Sequence, residues 1–265
     1  MNITCSGEKG ILTTQECLSC ARSGNQPCGF DYALLRLLFD HDETEIRRNE
    51  IHVTDITGCL KKAWYSKTVP KAEFVHEMLT RNLGTMLHNA IEGSDEFVDS
   101  ELPISECGIV GRSDLVYKDG RLLDLKSTRW IYPNRLPYGS HSLQVNIYAY
   151  LLKKAGREVN RLQIQYVDMS GPTKCRACKV PVRMVDGGYK CPKCGKWMNN
   201  AHLGALLVDV DIMPDAEIEA IIDQRRNGLA TALAMEIPPE QEPGYLCNYC
   251  PWAENECQPE VREEE

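Results

Sequence analysis

The stretch Gly108-Ile-Val-Gly-Arg-Ser-Asp114-Leu-Val-Tyr-Lys-Asp119-Gly120-Arg-Leu-Leu-Asp124-Leu-Lys126-Ser-Thr128 decides how the rest of the chain is read. Apolar and polar residues alternate through Ile109, Leu115 and Tyr117, Asp119-Gly120 supplies a strong two-residue turn signal, and a second alternation follows through Leu123 and Leu125. The stretch is predicted to form a β-hairpin. Strand side chains alternate between faces, so Asp124 and Lys126 share one face while the other strand carries Asp114. Two carboxylates and an ammonium that converge can hold Mg2+ or Mn2+ through hard oxygen ligands, with the lysine helping to activate a water for phosphodiester attack. The same residues also suit a solvated strand face with a salt bridge, and within this stretch alone both readings stand.

The chain has 265 residues, enough for one substantial core and one or two small modules. It contains no apolar run of about 18 residues, and Met1-Asn-Ile-Thr-Cys5 lacks the basic and apolar segments of an export signal. A cytoplasmic protein with no membrane partner is therefore expected. Its 13 cysteines fall largely in CxxC clusters, which in such a chain imply metal sites more than disulfides. By position they sort into Cys5, Cys17, Cys20 and Cys28; Cys175, Cys178, Cys191 and Cys194; Cys247, Cys250 and Cys257 with a distant Cys59; and a lone Cys107. The formal charge of −8 is not that of a typical backbone binder, although the terminal run Glu260 to Glu265 supplies a net three of those charges. Basic residues cluster locally at Lys61-Lys62, Lys153-Lys154 and Arg225-Arg226.

Taken in order, residues 1 to 30 are polar and weakly periodic, so a core there needs help from the cysteines. Cys17 and Cys20 make one knuckle, flanked unequally by Cys5 and Cys28, which suits a small zinc module or, less organised, unligated thiols. A short helix is predicted from Asp31, then a helix capped by Thr54 or Asp55 that carries Cys59, Lys62 and Tyr65, and helical sequence from about Glu73 to Glu92 that includes His76 and His88. Tyr132 to Gly139 is an aromatic-rich loop, fit to lie over a substrate or to pack on the surface. His141 to Gly156 is a predicted helix on which Gln144 and Tyr148, four apart, share a face.

Leu162 to Met169 and Gly204 to Ile212 alternate as strands. Between them, Cys175-Arg-Ala-Cys178 and Cys191-Pro-Lys-Cys194-Gly supply the four thiolates of a closed zinc ribbon, set as an insertion at a hairpin tip. Pro214 opens a helix over Asp215 to Met235, which Pro238-Pro239 ends. The final trio Cys247, Cys250 and Cys257 can hold zinc with one outside ligand, or three corners of an iron-sulfur cubane with Cys59 as the fourth.

The ordered set now resembles a known family. Cys59 in Ile-Thr-Gly-Cys-Leu-Lys-Lys-Ala-Trp-Tyr, His88 in Gly-Thr-Met-Leu-His, Gly111-Arg-Ser-Asp114, Asp124-Leu-Lys126, Gln144 through Tyr148, and the Cys247, Cys250, Cys257 trio follow the order of RecB-type PD-(D/E)xK nucleases. The similarity is greatest to the iron-sulfur branch, which includes CRISPR-associated RecB-like exonucleases and AddB-type recombination nucleases, and it covers roughly residues 50 to 170 and 200 to 260. It implies an α/β, restriction-endonuclease-like core with a mixed central sheet flanked by helices. It also implies that His88, Asp114, Asp124 and the carbonyl of Leu125 ligate Mg2+ or Mn2+, that Lys126 orients or polarises the attacking water, and that Gln144 and Tyr148 position DNA. A 4Fe-4S cluster is implied at Cys59, Cys247, Cys250 and Cys257. The N-terminal cysteines and the ribbon depart from the short CRISPR-associated members.

The expected organisation is an N-terminal Cys-rich module over 1–50, a nuclease core over 51–171 and 200–265, and the zinc ribbon over 172–199. The expected activity is metal-dependent hydrolysis of DNA, as an exonuclease on single-stranded ends, in repair, recombination or CRISPR adaptation. A non-catalytic nucleic-acid or partner-binding protein, with the Cys-rich modules doing the recognition, is the competing reading. A nuclease subunit active only in a complex is a third.

Overall fold

The computed structural model describes residues 2–5, 10–23, 30–40, 50–69, 72–74, 78–79, 82, 84–85, 97–128, 130–185, 188–198, 201–241, 244, 247, 250, 252–253 and 257. Contacts divide the chain into two compact units, Met1–Leu87 with Asp223–Glu265, and His88–Ile222.

In the first unit, strands β1 (Asn2–Thr4) and β2 (Ile11–Thr13) pair antiparallel and lead into helix α1 (Thr14–Arg22). Thr13 caps α1 in a reciprocal box: the Glu16 N–H donates to Thr13 Oγ1 at 3.2 Å and the Thr13 N–H to Glu16 Oε2 at 2.7 Å. The predicted helix after Asp31 is α2 (Tyr32–Asp40). Ile3, Cys17, Ala21, Leu35, Leu38 and Met78 form the core beneath these elements.

Two expectations are corrected in this unit. The single helix predicted to run through Thr54 and Tyr65 is two helices, α3 (Val53–Thr57) and α4 (Leu60–Thr68). Gly58 takes up extended backbone between them, in keeping with the poor helix propensity of glycine, and Cys59 becomes the N-cap of α4, its thiol accepting the Lys62 N–H at 3.4 Å. The helical sequence predicted from Glu73 begins instead as strand β3 (Ala72–Phe74), parallel to β1, because pairing across the chain overrides local pattern. Of the rest of that stretch only 78–79, 82 and 84–85 are described, all helical.

The second unit holds a five-stranded sheet built from β4 (Phe97–Glu106), β5 (Ile109–Tyr117), β6 (Arg121–Thr128), β7 (Arg161–Asp168) and β11 (Ala205–Val210), in the order β11-β7-β6-β5-β4. The sheet is mixed. β6 and β7 run parallel through the crossover helix α5 (Gly139–Lys154), and the other neighbours are antiparallel. The predicted hairpin is β5–β6. Its turn residue Gly120 has φ +81, where an added Cβ would sit 2.7 Å from Asn160 Nδ2, so glycine is required twice over. Residues 145 to 152 of α5 are all buried, and so are five of the eight residues of β7, which places both against the core. β11 alternates between exposed and half-buried residues, as an edge strand does.

Between β7 and β11 the short strands β8 (Arg183–Val185), β9 (Gly188–Lys190) and β10 (Trp197–Met198) form their own sheet, the predicted insertion. Helix α6 (Asp215–Ala234) follows and confirms the helix expected after Pro214. The whole is the α/β arrangement expected, a mixed sheet flanked by helices with a Cys-rich insertion.

Candidate active site

The β5–β6 ladder pairs Leu115 with Leu123 and Val116 with Leu122, and the next pair along would set Asp114 opposite Asp124. There the carboxylate replaces a backbone partner: Asp114 Oδ2 accepts the Leu125 N–H at 2.6 Å. Both acids are buried, Asp114 at 8 % and Asp124 at 2 % exposure. Lys126 Nζ lies 2.9 Å from Asp124 Oδ2 and 3.1 Å from Oδ1. The three residues read from the hairpin thus come together, on the face of the sheet covered by α5.

Helix α5 brings Gln144 and Tyr148 to the same place. The Tyr148 hydroxyl interacts with the Gln144 side chain and the Arg112 backbone; burial, with the Asp124 and Asp114 charges in support, pushes its pKa up to about 12. The phenol therefore stays protonated. His88 and Cys28 lie outside the described residues.

Two further residues belong to the cluster and escaped the sequence reading. His141 Nδ1 is 3.0 Å from the Tyr166 hydroxyl. Burial, then the Lys126 ammonium, pushes His141 down to about 4, so the ring is neutral near pH 7. Tyr166 is raised to about 12, mainly by burial, with the Asp124 charge adding to it. His141 stands three and seven residues before Gln144 and Tyr148, a helical spacing visible in the sequence. Tyr166 is the parallel-register partner of Lys126, which only the β6–β7 pairing reveals.

Chemically, two buried carboxylates on adjoining strands, one of them paired with the Lys126 ammonium, form a hard-oxygen donor set suited to a divalent cation. The neutral His141 and the protonated Tyr148 and Tyr166 surround it with groups able to bond a water or a phosphate oxygen.

The ribbon is a second metal-capable site. The Sγ atoms of Cys175, Cys178, Cys191 and Cys194 lie within 4.8 Å of one another, the one such group among the described residues, and Cys175 and Cys194 are 3.8 Å apart. Backbone N–H groups, of Cys194 first for one and of Cys178 first for the other, hold the Cys191 thiol down to about 6 and lower Cys175, while the Cys194 thiol and burial push Cys178 up to about 12, so without an ion the four thiols divide between thiolate and thiol.

In the first unit Cys59, Cys250 and Cys257 come within electrostatic reach. Burial chiefly raises the Cys257 thiol, with Cys250 and Cys59 adding to it and Lys61 opposing. Arg225 donates to the carbonyls of Ile56 and Gly58 and so fixes the turn that presents Cys59, while the Cys250 N–H donates to the Cys247 carbonyl at 3.1 Å. Of the N-terminal set, Cys17 is buried in the local core, and Cys5 and Cys20 are half-buried.

The family model of the PD-(D/E)XK nuclease superfamily matches residues 33–255, a span that contains Asp114, Asp124, Lys126, His141, Gln144, Tyr148 and Tyr166. The chain belongs to that superfamily. As a PD-(D/E)XK nuclease it is a hydrolase with a nucleic-acid substrate, from a family that typically uses Mg2+ or Mn2+. Among solved structures, that of SSO0001 is similar at 17% identity and a TM-score of 0.44, covering 84% of this chain and 92% of its own. A phage related exonuclease from Haemophilus somnus 129PT is similar at 10% identity and a TM-score of 0.40, covering 71% of this chain and 94% of its own. No curated protein matches. Among the described residues, no helix of this nuclease is long and apolar enough to cross a membrane.

Proposed function

We propose that this protein is a Mg2+- or Mn2+-dependent deoxyribonuclease of the RecB-type, iron-sulfur branch, acting as an exonuclease on single-stranded DNA ends in the cytoplasm. The observation that carries the reading is the buried Asp114–Asp124–Lys126 cluster at the point where the β5–β6 ladder gives way to side-chain bonding. Asp114, Asp124, the Leu125 carbonyl and His88 would hold the cation, which when bound supplies Lewis acidity toward phosphate and lowers the pKa of water. Lys126 orients the attacking water from the Asp124 side. Gln144 and Tyr148 bond phosphate oxygens and keep the scissile group in line, and their positions on one face of α5, Tyr148 buried and Gln144 half-buried, suit that task.

The other sites brace the fold. Zinc–thiolate bonds of about 2.3 Å in a tetrahedron imply Sγ separations of about 3.8 Å, and the Cys175–Cys194 distance of 3.8 Å supports zinc as the ribbon's metal. Cys59, Cys247, Cys250 and Cys257 hold a 4Fe-4S cluster that ties the start of the core to its end, a structural staple more than a redox centre. The N-terminal cysteines Cys5, Cys17, Cys20 and Cys28 form a further zinc module over 1–50, and core and ribbon divide at 51–171, 172–199 and 200–265. DNA repair, recombination or CRISPR adaptation is the setting.

Degradation of end-labelled single-stranded DNA in Mg2+ or Mn2+, abolished by EDTA and by Asp114→Ala or Asp124→Ala, is the expected result. A wild-type protein that contains its clusters and cleaves no labelled strand overturns the reading in favour of a non-catalytic binder or of a subunit active only in a complex. Brown, anaerobically purified protein with broad absorbance near roughly 400 nm supports the iron-sulfur branch; colourless protein containing only zinc refutes it.

A further inference from the structure

The charge of this chain is unevenly placed. Between residues 172 and 199 there are seven Lys or Arg and one acidic residue, Asp186, a local net of +6; with −8 overall, the remainder of the chain stands at −14. Four thiolates on one zinc ion would subtract two, leaving the loaded ribbon at about +4. All seven cations except the half-buried Lys190 are exposed.

Aromatic rings lead from this module to the active site. On the ribbon, Trp197 is 50 % exposed with Lys190 Nζ 5.2 Å from its ring centre. Ile131, on the loop after β6, bridges to Leu203 just past the ribbon, and Tyr132 lies within electrostatic reach of Tyr189 on β9, which sets the ribbon beside that loop. On that loop Tyr132 is 40 % exposed and carries the Arg135 guanidinium 5.9 Å from its ring centre, and Tyr138 is 47 % exposed. Tyr138 meets His141 edge to face at 5.3 Å, and His141 is the ring already placed against Tyr166 and Lys126. The root of the ribbon is tied down by hydrogen bonds. His202 Nδ1 pairs with Asp168 Oδ2 at 2.6 Å, Asp168 Oδ1 accepts the Ser170 N–H at 2.8 Å and hydroxyl at 2.6 Å, and Ile131 bridges to Leu203.

We infer that the ribbon and the 130–138 loop form one binding platform for a single polynucleotide strand, with its phosphates on the ribbon's Lys and Arg and its unpaired bases stacked on Trp197, Tyr132 and Tyr138. Exposed rings interleaved with cations match a flexible strand, because stacking needs bases free of a duplex while the cations follow the backbone. The platform also answers an electrostatic need. The site itself presents two carboxylates to a polyanion, and the ribbon supplies the attraction that the acidic remainder of the chain lacks. The direction assigned to the strand, toward Lys126, rests on the proposed nuclease reading; binding to the platform does not.

The test is binding of a fluorescein-labelled single-stranded DNA oligonucleotide by the full-length protein, read by anisotropy at several salt concentrations without added divalent cation. Zinc content verifies an intact ribbon in each variant. Trp197→Ala is expected to weaken binding roughly five- to a hundredfold, the loss of one stacked base. Arg183→Glu with Lys193→Glu is expected to weaken it at least tenfold and to flatten the salt dependence by about 1.4 in log–log slope, two phosphate contacts of a single strand. Lys118→Glu, on the β5–β6 turn, is the control for a charge reversal elsewhere and should bind within about twofold of wild type. The inference is overturned if zinc-replete ribbon variants bind like wild type, if Lys118→Glu weakens binding as much as the ribbon changes do, or if duplex of equal length competes as well as single strand. Failure of the wild type to cleave in Mg2+ or Mn2+ while binding behaves as expected removes the nuclease reading alone.

Discussion

Replacing Lys126 with methionine keeps the length of the side chain and removes its charge, which separates the lysine's part in the fold from its part in the chemistry. In the protein without a divalent ion, Lys126 Nζ pairs with both oxygens of Asp124 at 3.1 and 2.9 Å, and that carboxylate is 2 % exposed. Removing one partner of a buried ion pair costs about 3–5 kcal/mol. The lysine side chain is 21 % exposed, so water offsets part of the loss, leaving about 2–3 kcal/mol, or a fall in Tm of roughly 4–12 °C. A divalent cation held by Asp114 and Asp124 would restore the missing positive charge. Mn2+ should therefore raise the Tm of Lys126→Met more than that of the wild type, closing most of the gap, while cleavage of labelled strands stays lost. Circular dichroism melts with and without Mn2+, beside a cleavage assay, read both effects. A variant that melts with the wild type in metal-free buffer, or that gains no more from Mn2+, refutes the idea that lysine and cation serve the same carboxylates. Full cleavage by the variant refutes the role given to Lys126.

Three further outcomes follow from the same geometry. Tyr148→Phe removes a buried hydroxyl aimed at the site and should lower cleavage roughly ten- to a hundredfold while stability moves by only about 1 kcal/mol, compared by kinetics and denaturant melts. His141 titrates near 4 when folded against 6.5 ordinarily, so as pH falls the unfolded chain takes up its proton first; stability should decline between about pH 6.5 and 4, and His141→Gln should flatten that limb of the Tm–pH curve. Cys175→Ser removes a buried ligand of the ribbon, and metal analysis should show one zinc equivalent fewer than wild type, with a change in Trp197 fluorescence.

The hairpin shows how far local sequence carries. Asp119-Gly120 and the flanking alternation announce β5 and β6, and the period of two joins Asp124 to Lys126, because turn chemistry and strand pleat are properties of neighbouring residues. The paired CxxC knuckles announce the ribbon for the same reason, since a thiolate tetrahedron needs little beyond its own loop. Where neighbours compete, the pattern misleads. Gly58 splits a helix that periodicity extends through it, and β3 occupies residues with helical spacing because β1 lies alongside.

The sequence by itself therefore determined the elements, the donor types and their order along the chain: Asp114, Asp124 and Lys126, the Gln144–Tyr148 helix face, and the cysteine sets. Tertiary structure decided which of these meet and at what charge. Only the parallel β6–β7 register sets Tyr166 beside Lys126, and only the packing of α5 on the sheet buries His141 deeply enough to keep it neutral. Only the ribbon's attachment beside the 130–138 loop turns scattered lysines and aromatics into one surface. Those are relations between residues distant in the chain, fixed by burial and strand register, and no local spacing encodes them.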